Sequence, residues 1–545
     1  MPAPLKSHMH PNEHLLDTRR NFGEYIVQHL MLHADLKWIN GTSHESQTFG
    51  EVSEHVEVVR TALFRLGVRP GDKMLLLTSN RLEVLPLFLG AACANVACLF
   101  ETPGFGVDVL ADRMETLGFV IICCEPNWVQ EALELQRKLV SVKYVLVFGE
   151  PEHKEGNCRT SSVITWTKLL EKGRTSNGLM PPPIEYREGQ ICYLTSTSGT
   201  TGKPKLVVHT HESLLGNVQA NSHPRHMPLG AEDVQLCTTS LGHVYALFDC
   251  VSKAIVQGAS AIFLETADDT AVLEAIQRHR VTAISTTPYM LRCVLENKQR
   301  KNYDTSCLRY ITTATTCIAK GVADAVMQEL KPKTFIQLYG QSEMPMIAAG
   351  LYDGPSKYMS IGPLAMGVEA MVRDVETGKP LGPWERGELV VRGPGLMRGY
   401  WGKLHEPVTD EQGWYRTGDQ CYYDDNGWLY LVQRLSDFFI CRGSKYWPVE
   451  VEAVLLKCPE VHDCAVVGLP HPEAGEVAHA VIVPEHGDET AVSEHIQRFV
   501  EANAPKGCHL EGGVTFVDKI PRTKLGKFAR PQLVQWVLEK QKGLN

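Results

Sequence analysis

The sequence lacks any Cys-x-x-Cys pair, although 16 cysteines are scattered along its 545 residues. The adjacent residues Cys123 and Cys124 are poor candidates for a structural disulfide, and the scattered spacing does not indicate a disulfide framework. Because disulfides persist mainly in oxidising environments, we expect reduced thiols and a cytosolic type of compartment.

The sequence also lacks a block of Lys and Arg residues, and its net charge at pH 7 is −9. This balance argues against nucleic acid or an anionic membrane surface as the main partner. No apolar run reaches transmembrane length, so no integral membrane segment is expected. The polar residues 1–20 differ from a secretory signal, and residues 542–545 differ from a Ser-Lys-Leu peroxisomal tripeptide. The sequence therefore predicts a cytoplasmic protein.

Strand-like and helix-like segments alternate along most of the chain. Residues 73–78 predict a buried strand and residues 82–94 a buried helix, and the alternation continues to residue 287. This order is typical of an α/β chain with largely parallel sheets. With 43% hydrophobic residues in a chain of this length, several cores and two or more domains are expected.

The character of the sequence changes after Gly387, where short strands are separated by turn signals such as residues 424–427. Beyond Arg434, strand patterns and two amphipathic helices follow, and the first of these helices starts at Pro448. We therefore predict a large N-terminal domain, residues 1–433, of mainly parallel sheets with packed helices plus a β-rich subdomain. A small C-terminal α+β domain is predicted for residues 434–545, a length sufficient for independent folding.

Residues 195–205 are a run of hydroxyls and glycines that ends in two lysines. Apolar, strand-like segments lie on both sides, which predicts a loop between two strands. Glycines let backbone N–H groups point inward together, and the hydroxyls and lysines add donors and charge for anionic oxygens. Gly199 and Gly202 are too close for a Walker A loop, and Pro204 stands where that motif needs Ser or Thr. We interpret the run as a polyphosphate-binding loop; the alternative is a Ser/Gly-rich surface linker.

Four further stretches combine charged or aromatic residues with glycine or proline. Tyr339 to Glu343 follow an apolar strand, where α/β proteins bind ligands and a carboxylate suits a cation that bridges phosphates. Residues 415–419 place Asp419 after a glycine, where it suits the two hydroxyls of a ribose. Residues 434–450 combine glycine, proline and charges, and residues 521–527 form a basic loop. Taken singly, each stretch is also compatible with an ordinary turn, linker or solvated segment.

Together, in this order and spacing, the five stretches resemble the adenylate-forming superfamily of acyl-CoA synthetases, 4-coumarate–CoA ligases, beetle luciferases and adenylation domains. The resemblance extends from residue 48 to residue 530. The 4-coumarate–CoA ligase and luciferase-like branch is the most similar, because residues 240–247 (Ser-Leu-Gly-His-Val-Tyr-Ala-Leu) resemble that branch's His-containing stretch beside the acyl pocket. The resemblance implies the same fold, with a mobile C-terminal domain.

For the phosphates and the metal ion, the resemblance implies a loop that wraps the β- and γ-phosphates of ATP. Its residues are Thr197, Ser198, Gly199, Thr200, Thr201, Gly202 and Lys205. Glu343 would help to hold Mg²⁺, with Thr200 or Thr201 nearby.

For the nucleoside, the resemblance implies that Tyr339 stacks on the adenine, within a stretch that includes Gly340 and Ser342. Asp419 would accept the ribose hydroxyls, assisted by Arg434. The acyl pocket would be lined by His243, Tyr245 and Gln341.

For the chemistry, the resemblance implies that Lys527 bridges the substrate carboxylate and the α-phosphate during adenylation. Ser436 would occupy the hinge about which the small domain rotates. That rotation would withdraw Lys527 and bring Gly443 to the site for a thioester step with coenzyme A.

The sequence departs from the family pattern near the nucleotide. Leu206 stands where a glycine is usual, and Thr-Ala-Thr-Thr at residues 313–316 replaces a glycine-rich stretch that contacts adenine. Ser342 replaces threonine and keeps the hydroxyl.

Other departures concern the second half-reaction. Ser436 replaces a charged hinge residue, Ile440 replaces a lysine and Lys445 replaces a glutamine. Because Lys445 lies across the Gly443 turn from Ile440, we expect it to reach the AMP phosphate in place of the missing lysine.

These observations predict an ATP- and Mg²⁺-dependent acid–thiol ligase that forms acyl-AMP and then a coenzyme A thioester. Its substrate would be an aromatic or a medium-to-long aliphatic carboxylic acid. Two alternatives stand beside it. One is a luciferase-like monooxygenase that acts on an adenylated acid, and the other is a degenerate, non-catalytic nucleotide- or acyl-binding protein.

Overall fold

The computed structural model describes residues 3–7, 16–101, 106–150, 162–175, 179–197, 205–353, 357, 359–485, 489–504, 506–522, 528 and 530–541. The chain divides into two compact units. The first comprises Met1–Met371, Val390–Arg416 and Tyr423–Tyr430, and the second comprises Val372–Leu389, Thr417–Tyr422 and Leu431–Asn545. The expected domain boundary between residues 433 and 434 stays a prediction.

Strands and helices alternate through most of the chain, as the sequence predicts. The strands are β1 (Leu5–Lys6), β2 (Lys37–Asn40), β3 (Ser46–Thr48), β4 (Lys73–Leu77), β5 (Ala97–Glu101), β6 (Phe119–Cys124), β7 (Tyr144–Val147), β8 (Val163–Thr165), β9 (Ile191–Thr197), β10 (Lys205–Thr210), β11 (Val234–Cys237), β12 (Ser260–Phe263), β13 (Ala283–Thr286), β14 (Tyr310–Thr313), β15 (Thr334–Gln341), β16 (Met344–Ala349), β17 (Glu369–Arg373), β18 (Gly387–Arg392), β19 (Gly399–Tyr400), β20 (Tyr415–Tyr423), β21 (Leu429–Arg434), β22 (Phe439–Cys441), β23 (Ser444–Tyr446), β24 (Val461–His471), β25 (Gly475–Pro484) and β26 (Val514–Phe516).

The α-helices are α1 (Phe22–Leu32), α2 (Phe49–Arg65), α3 (Val84–Cys93), α4 (Val107–Met114), α5 (Val129–Lys138), α6 (Trp166–Arg174), α7 (His211–Asn221), α8 (Lys253–Gln257), α9 (Asp269–His279), α10 (Pro288–Glu296), α11 (Lys320–Glu329), α12 (Pro448–Leu455), α13 (Glu489–Asn503) and α14 (Arg530–Gln541). A π-helix spans Ala246–Ser252, and 3₁₀ turns span Glu115–Leu117, Pro126–Trp128, Arg300–Asn302 and Lys506–Cys508. Among the helices of the described ranges, none is long and apolar enough to cross a membrane.

Two eight-stranded sheets organise the described part of the first unit. Their strand orders are β19-β10-β9-β5-β4-β6-β7-β8 and β16-β15-β14-β13-β11-β12-β2-β3. The inner strands of both sheets run parallel, and antiparallel pairs lie at the β19 end of the first sheet and at both ends of the second. The mainly parallel α/β architecture predicted from the sequence is therefore confirmed.

The residues in the first turns of helices α2 and α3 explain where these two helices begin. The hydroxyl of Thr48 accepts a hydrogen bond from the Glu51 amide at 3.1 Å, and the Glu51 carboxylate accepts one from the Thr48 amide at 2.7 Å. This capping box satisfies two amides that would otherwise lack partners at the start of α2. Pro86 is accommodated in the first turn of α3, where no helical N–H is required.

Two smaller sheets complete the architecture. One has the order β1-β17-β18-β20-β21. In the second unit, β23, β22, β25 and β24 form an antiparallel array, and β26 pairs in parallel with β25. Helices α12 and α13 cover that array through Val451, Leu455, Ile496 and Val500, all of which are fully buried.

Three buried histidines give a first testable consequence. Burial lowers the pKa of His209 and His211 to about 4 and that of His226 to about 3. The folded state therefore keeps them neutral while an unfolded chain would protonate them below about pH 6.5. We expect stability to fall with acidification between about pH 6.5 and pH 4, by up to about 1.4 kcal/mol per pH unit for each histidine.

The measurement is the urea midpoint followed by tryptophan fluorescence across that pH range. The variant His226→Gln removes one titrating group and should show a shallower pH dependence than the wild type. A wild-type midpoint that stays constant from neutral pH to about pH 4 would contradict the assignment.

Candidate active site

An antiparallel hairpin brackets the predicted phosphate loop. Thr197 ends β9, Lys205 begins β10, and the two residues lie directly opposite each other. The other predicted loop residues, Ser198, Gly199, Thr200, Thr201 and Gly202, lie outside the described residues. Leu206, the first departure from the family pattern, lies opposite Ser196 and packs against the buried core beneath the hairpin. The prediction of strands on both sides of the run is confirmed, but the loop is shorter than predicted, because residues 195–197 belong to β9 and Lys205 belongs to β10.

Tyr400 connects the loop lysine to the predicted metal-binding carboxylate. The Nζ atom of Lys205 lies 5.1 Å from the centre of the Tyr400 ring, which places the cation over the ring face. The Tyr400 hydroxyl donates a hydrogen bond to Oε1 of Glu343 at 2.8 Å. Tyr400 reaches this position because β19 pairs with β10, with Tyr400 opposite Val207. Lys205 and Glu343 are therefore joined through one aromatic side chain, which the sequence did not single out.

Glu343 lies in the turn of a second hairpin. Strand β15 continues as far as Gln341, so Tyr339 belongs to the strand instead of following it. Gln341 pairs with Met344 of β16, which leaves Ser342 and Glu343 as the connecting residues. Because β14 and β15 are parallel, with Thr313 opposite Gln337, residues 313–316 and Tyr339 lie at the same edge of the sheet. This is the edge at which α/β folds bind ligands.

His209 positions the Glu343 turn and was also missed in the sequence. Its Nε2–H donates to the main-chain oxygen of Ser342 at 2.8 Å, and its Nδ1 lies 3.1 Å from the hydroxyl of Ser213. The ring is fully buried, and burial lowers its pKa to about 4, so it stays neutral at physiological pH. A neutral histidine therefore links the strand that follows the phosphate loop to the residue before Glu343. A His-Thr-His run offers little signal for this role, because the contact spans 133 positions.

Gly340 permits the close approach of the two strands in the Glu343 hairpin. A Cβ atom at this position would lie 2.0 Å from the main-chain oxygen of Pro345.

We expect Gly340→Ala to cost about 1–3 kcal/mol of stability and to displace the Glu343 turn. Gly321→Ala is the matched control, because a Cβ there meets no atom within 4 Å and lies in the first turn of α11. Urea midpoints and nucleotide affinity of both variants test this, and equal behaviour of the two would contradict it.

Asp419 and Arg434 come together in the second unit. The Nε of Arg434 lies 2.8 Å from Oδ1 of Asp419, whose side chain is almost fully buried while that of Arg434 is half exposed. The Thr417 hydroxyl accepts from the Asp419 amide and donates to the oxygen of Leu389, which fixes the strand at this point. The pair that the sequence assigned to the ribose is thus adjacent, and its role in ribose binding stays a prediction.

The predicted acyl-pocket residues lie on two neighbouring elements of the first unit. The Tyr245 hydroxyl lies 3.1 Å from the main-chain oxygen of Thr312, the residue before the 313–316 stretch. Gln341 lies at the end of the adjacent strand β15, where its side chain accepts from the Tyr415 hydroxyl at 3.4 Å. His243 is half buried, and its Nδ1 accepts from the amide of Tyr245. Tyr245 and Gln341 therefore lie at the same sheet edge as Tyr339.

A tight hairpin in the second unit pairs Ile440 directly with Lys445. Arg442 and Gly443 in its turn both have positive φ, 49° and 79°, as a two-residue hairpin turn requires. Side chains of directly opposed residues lie on the same face of an antiparallel pair. The Lys445 ammonium lies 4.5 Å from the centre of the Phe438 ring, and both Ile440 and Lys445 are exposed. The hairpin therefore puts the lysine beside the position where the family pattern expects one.

Lys527 lies outside the described residues, but Arg522 and Phe528 are described. Arg522 and Phe528 form an antiparallel bridge, and Arg522 is also paired with Asp463 at 2.8 Å. Ser436, the predicted hinge residue, is exposed and donates to the carboxylate of Asp437 at 3.4 Å. The roles of Lys527 and Ser436 stay predictions.

Comparison with known proteins identifies relatives that align with nearly the whole length of this chain. A family model described as AMP-binding enzyme matches residues 30–401, and one described as AMP-binding enzyme C-terminal domain matches residues 450–527. A 4-coumarate–CoA ligase from Pinus taeda is 30% identical over 510 residues, which cover 91% of this chain and 90% of that ligase. Luciferin 4-monooxygenase from Photinus pyralis is 26% identical over 506 residues, covering 91% and 90%. The crystal structure of ATP-bound MatB from Rhodopseudomonas palustris shares the fold, with a TM-score of 0.81 and 21% identity over 95% of this chain and 99% of that one.

Proposed function

Because the chain belongs to the family of AMP-binding enzymes, we propose that it is an ATP- and Mg²⁺-dependent acid–thiol ligase. It activates a small-molecule carboxylic acid as acyl-AMP, releases pyrophosphate and transfers the acyl group to coenzyme A. The similarity to a 4-coumarate–CoA ligase supports coenzyme A as the acceptor. An aromatic or medium-to-long aliphatic acid is the proposed substrate class.

The observation that carries the proposal is the connection of Lys205, Tyr400 and Glu343 beside the phosphate loop. A carboxylate that attacks the α-phosphate of ATP brings two anions together, so fixed cations must stabilise the developing charge. Lys205 supplies such a cation on the strand that leaves the loop. His209 holds the Glu343 turn against that same strand without adding charge.

The residues present fit a magnesium ion. Magnesium prefers oxygen ligands and uses few protein carboxylates, because it keeps several waters and binds phosphates directly. Glu343 offers one partly exposed carboxylate, and the Tyr400 hydroxyl orients it through Oε1. When bound, the ion would neutralise phosphate charge and polarise the phosphoryl oxygens.

The thioester half-reaction rests on the hairpin of the second unit. A cation near the AMP phosphate stabilises that group as it leaves, and isoleucine at position 440 does not provide one. Since Lys445 is the cross-strand partner of Ile440, its ammonium lies on the same face of the hairpin. We infer that the charge has been moved to the opposite strand and not lost.

The experiment that tests the proposal is pyrophosphate release with a panel of carboxylic acids, with and without coenzyme A. A ligase gives acid-dependent pyrophosphate and a thioester product. Binding of ATP without pyrophosphate release would favour the non-catalytic alternative, and light emission with a luciferin would favour the monooxygenase. Either result overturns the ligase assignment.

The proposed relocation of the positive charge from position 440 to Lys445 gives a specific prediction for thioester formation. Lys445→Ala should slow thioester formation from supplied acyl-AMP by about 10-fold or more, with little effect on pyrophosphate release. Adding Ile440→Lys to that variant should restore part of the rate, because the cation returns to the same face. The assay is single-turnover thioester formation in the wild type, both single variants and the double variant. Equal rates in the wild type and Lys445→Ala would contradict the inference.

A further inference from the structure

Among the residues that the structure describes, one group of His, Cys, Asp and Glu side chains brings three potential metal ligands together. The group consists of Cys458, Glu460 and His495 in the second unit, and its three ligand atoms all lie within 4.8 Å of one another. We propose that Cys458, Glu460 and His495 form a binding site for a zinc ion. The ligase function does not use any of these residues.

The distances agree with a site that needs little adjustment. One oxygen of Glu460, Oε2, lies 3.1 Å from Sγ of Cys458 and 3.8 Å from Nε2 of His495. In a tetrahedral zinc site, bond lengths of about 2.0–2.3 Å place neighbouring ligand atoms about 3.3–3.7 Å apart. The two observed separations lie just below and just above that range, and the ligand atoms of Cys458 and His495 lie within 4.8 Å of each other, so side-chain rotations must bring these two residues closer to close the site.

Backbone hydrogen bonds and the packing of two helices hold the three ligands. Cys458 follows α12, and its amide donates to the oxygen of Leu455 at 2.9 Å. The main-chain oxygen of Glu460 accepts a hydrogen bond from the amide of Glu485 at 2.9 Å. This bond anchors the turn that carries Cys458 and Glu460. His495 lies in α13, which packs against α12. The ligands thus come from one short turn and one facing helix, an arrangement that preorganises a metal site.

The ligand set selects the type of ion. A thiolate, an imidazole and a carboxylate suit zinc, whereas magnesium and calcium prefer oxygen ligands alone. The Cys458 thiol would release its proton to solvent, and the thiolate and the Glu460 carboxylate together balance the charge of the ion. Cys458 is buried while His495 is half exposed, so the ion enters from solvent and completes its coordination with water.

The test is titration of the full-length, metal-free protein with Co²⁺, followed by the sulfur-to-cobalt charge-transfer absorption, and then competition with Zn²⁺. The wild type should show this absorption and lose it when zinc displaces cobalt. Cys458→Ala should abolish the absorption, and His495→Ala should weaken metal affinity by about 10-fold or more. Circular dichroism of both variants measures whether they are folded.

Two control variants separate this site from adventitious binding. Cys317→Ala removes a solvent-exposed thiol, and His462→Ala removes a neighbouring imidazole that pairs with Glu485 at 2.9 Å. Both controls should bind cobalt as the wild type does. A wild type without the charge-transfer absorption, or a Cys458→Ala variant that retains it, would overturn the proposal. The readout is independent of enzymatic activity, so its failure leaves the proposed ligase function unaffected.

Discussion

Lys527→Ala is expected to reduce acyl-AMP formation by at least about 10³-fold, because it removes a cation that acts where negative charge develops in the transition state. The same variant should still convert supplied acyl-AMP to the thioester, since the resemblance assigns Lys527 to the first half-reaction alone. Arg522 and Phe528, which form a bridge beside this stretch, are unchanged in the variant, so the second unit should remain folded. The measurements are pyrophosphate release and single-turnover thioester formation.

Lys524→Ala is the matched control for this prediction, because Lys524 belongs to the same basic stretch. It should retain most of the adenylation rate. Equal losses in both half-reactions of Lys527→Ala would show that the lysine has a structural role or that the two half-reactions share one arrangement of the domains. A similar loss in Lys524→Ala would show that the loop acts through its total charge.

Asp419→Ala should weaken ATP binding by at least about 100-fold. The carboxylate is proposed to accept two hydrogen bonds from the ribose hydroxyls, and charge-assisted bonds contribute about 1.5–3 kcal/mol each. Two such bonds correspond to a change in Kd of about two to four orders of magnitude. Isothermal titration of the wild type and the variant with ATP measures the effect directly.

Removal of Asp419 also leaves the Arg434 guanidinium without its 2.8 Å ion pair, so loss of stability must be separated from loss of binding. Asp424→Ala provides that separation. Its carboxylate is also almost fully buried and forms a 2.6 Å ion pair, with Lys357, but it is not assigned to the nucleotide. Asp424→Ala should lose stability while its ATP affinity stays near that of the wild type. Unchanged ATP affinity in Asp419→Ala would contradict the ribose assignment.

Local patterns in the sequence predicted many elements of the fold. The capping box at Thr48 and Glu51, and proline in the first turns of α3 and α12, depend on neighbouring residues only. The alternation of buried strands and amphipathic helices likewise predicted the parallel sheets, because periodicity reports which face of an element is buried. The polar residues 172–183, which end in three prolines, predict an exposed connector, but this prediction is wrong at its start because α6 continues to Arg174. Polar residues on the exposed face of a helix resemble a loop in the sequence.

The sequence by itself determined the family and the residue types available for chemistry, because motif order and spacing are written along the chain. Only the tertiary structure decided how those residues combine. Tyr400 reaches Lys205 because β19 pairs with β10, and His209 reaches Ser342 across the same region of the first unit. The pairing of Lys445 with Ile440 is different, because the local Arg442–Gly443 turn fixes its register and the sequence already predicted the two residues on opposite sides of that turn. The Tyr400 and His209 contacts join segments that lie far apart in the chain, so they depend on tertiary packing and leave no local signal in the sequence.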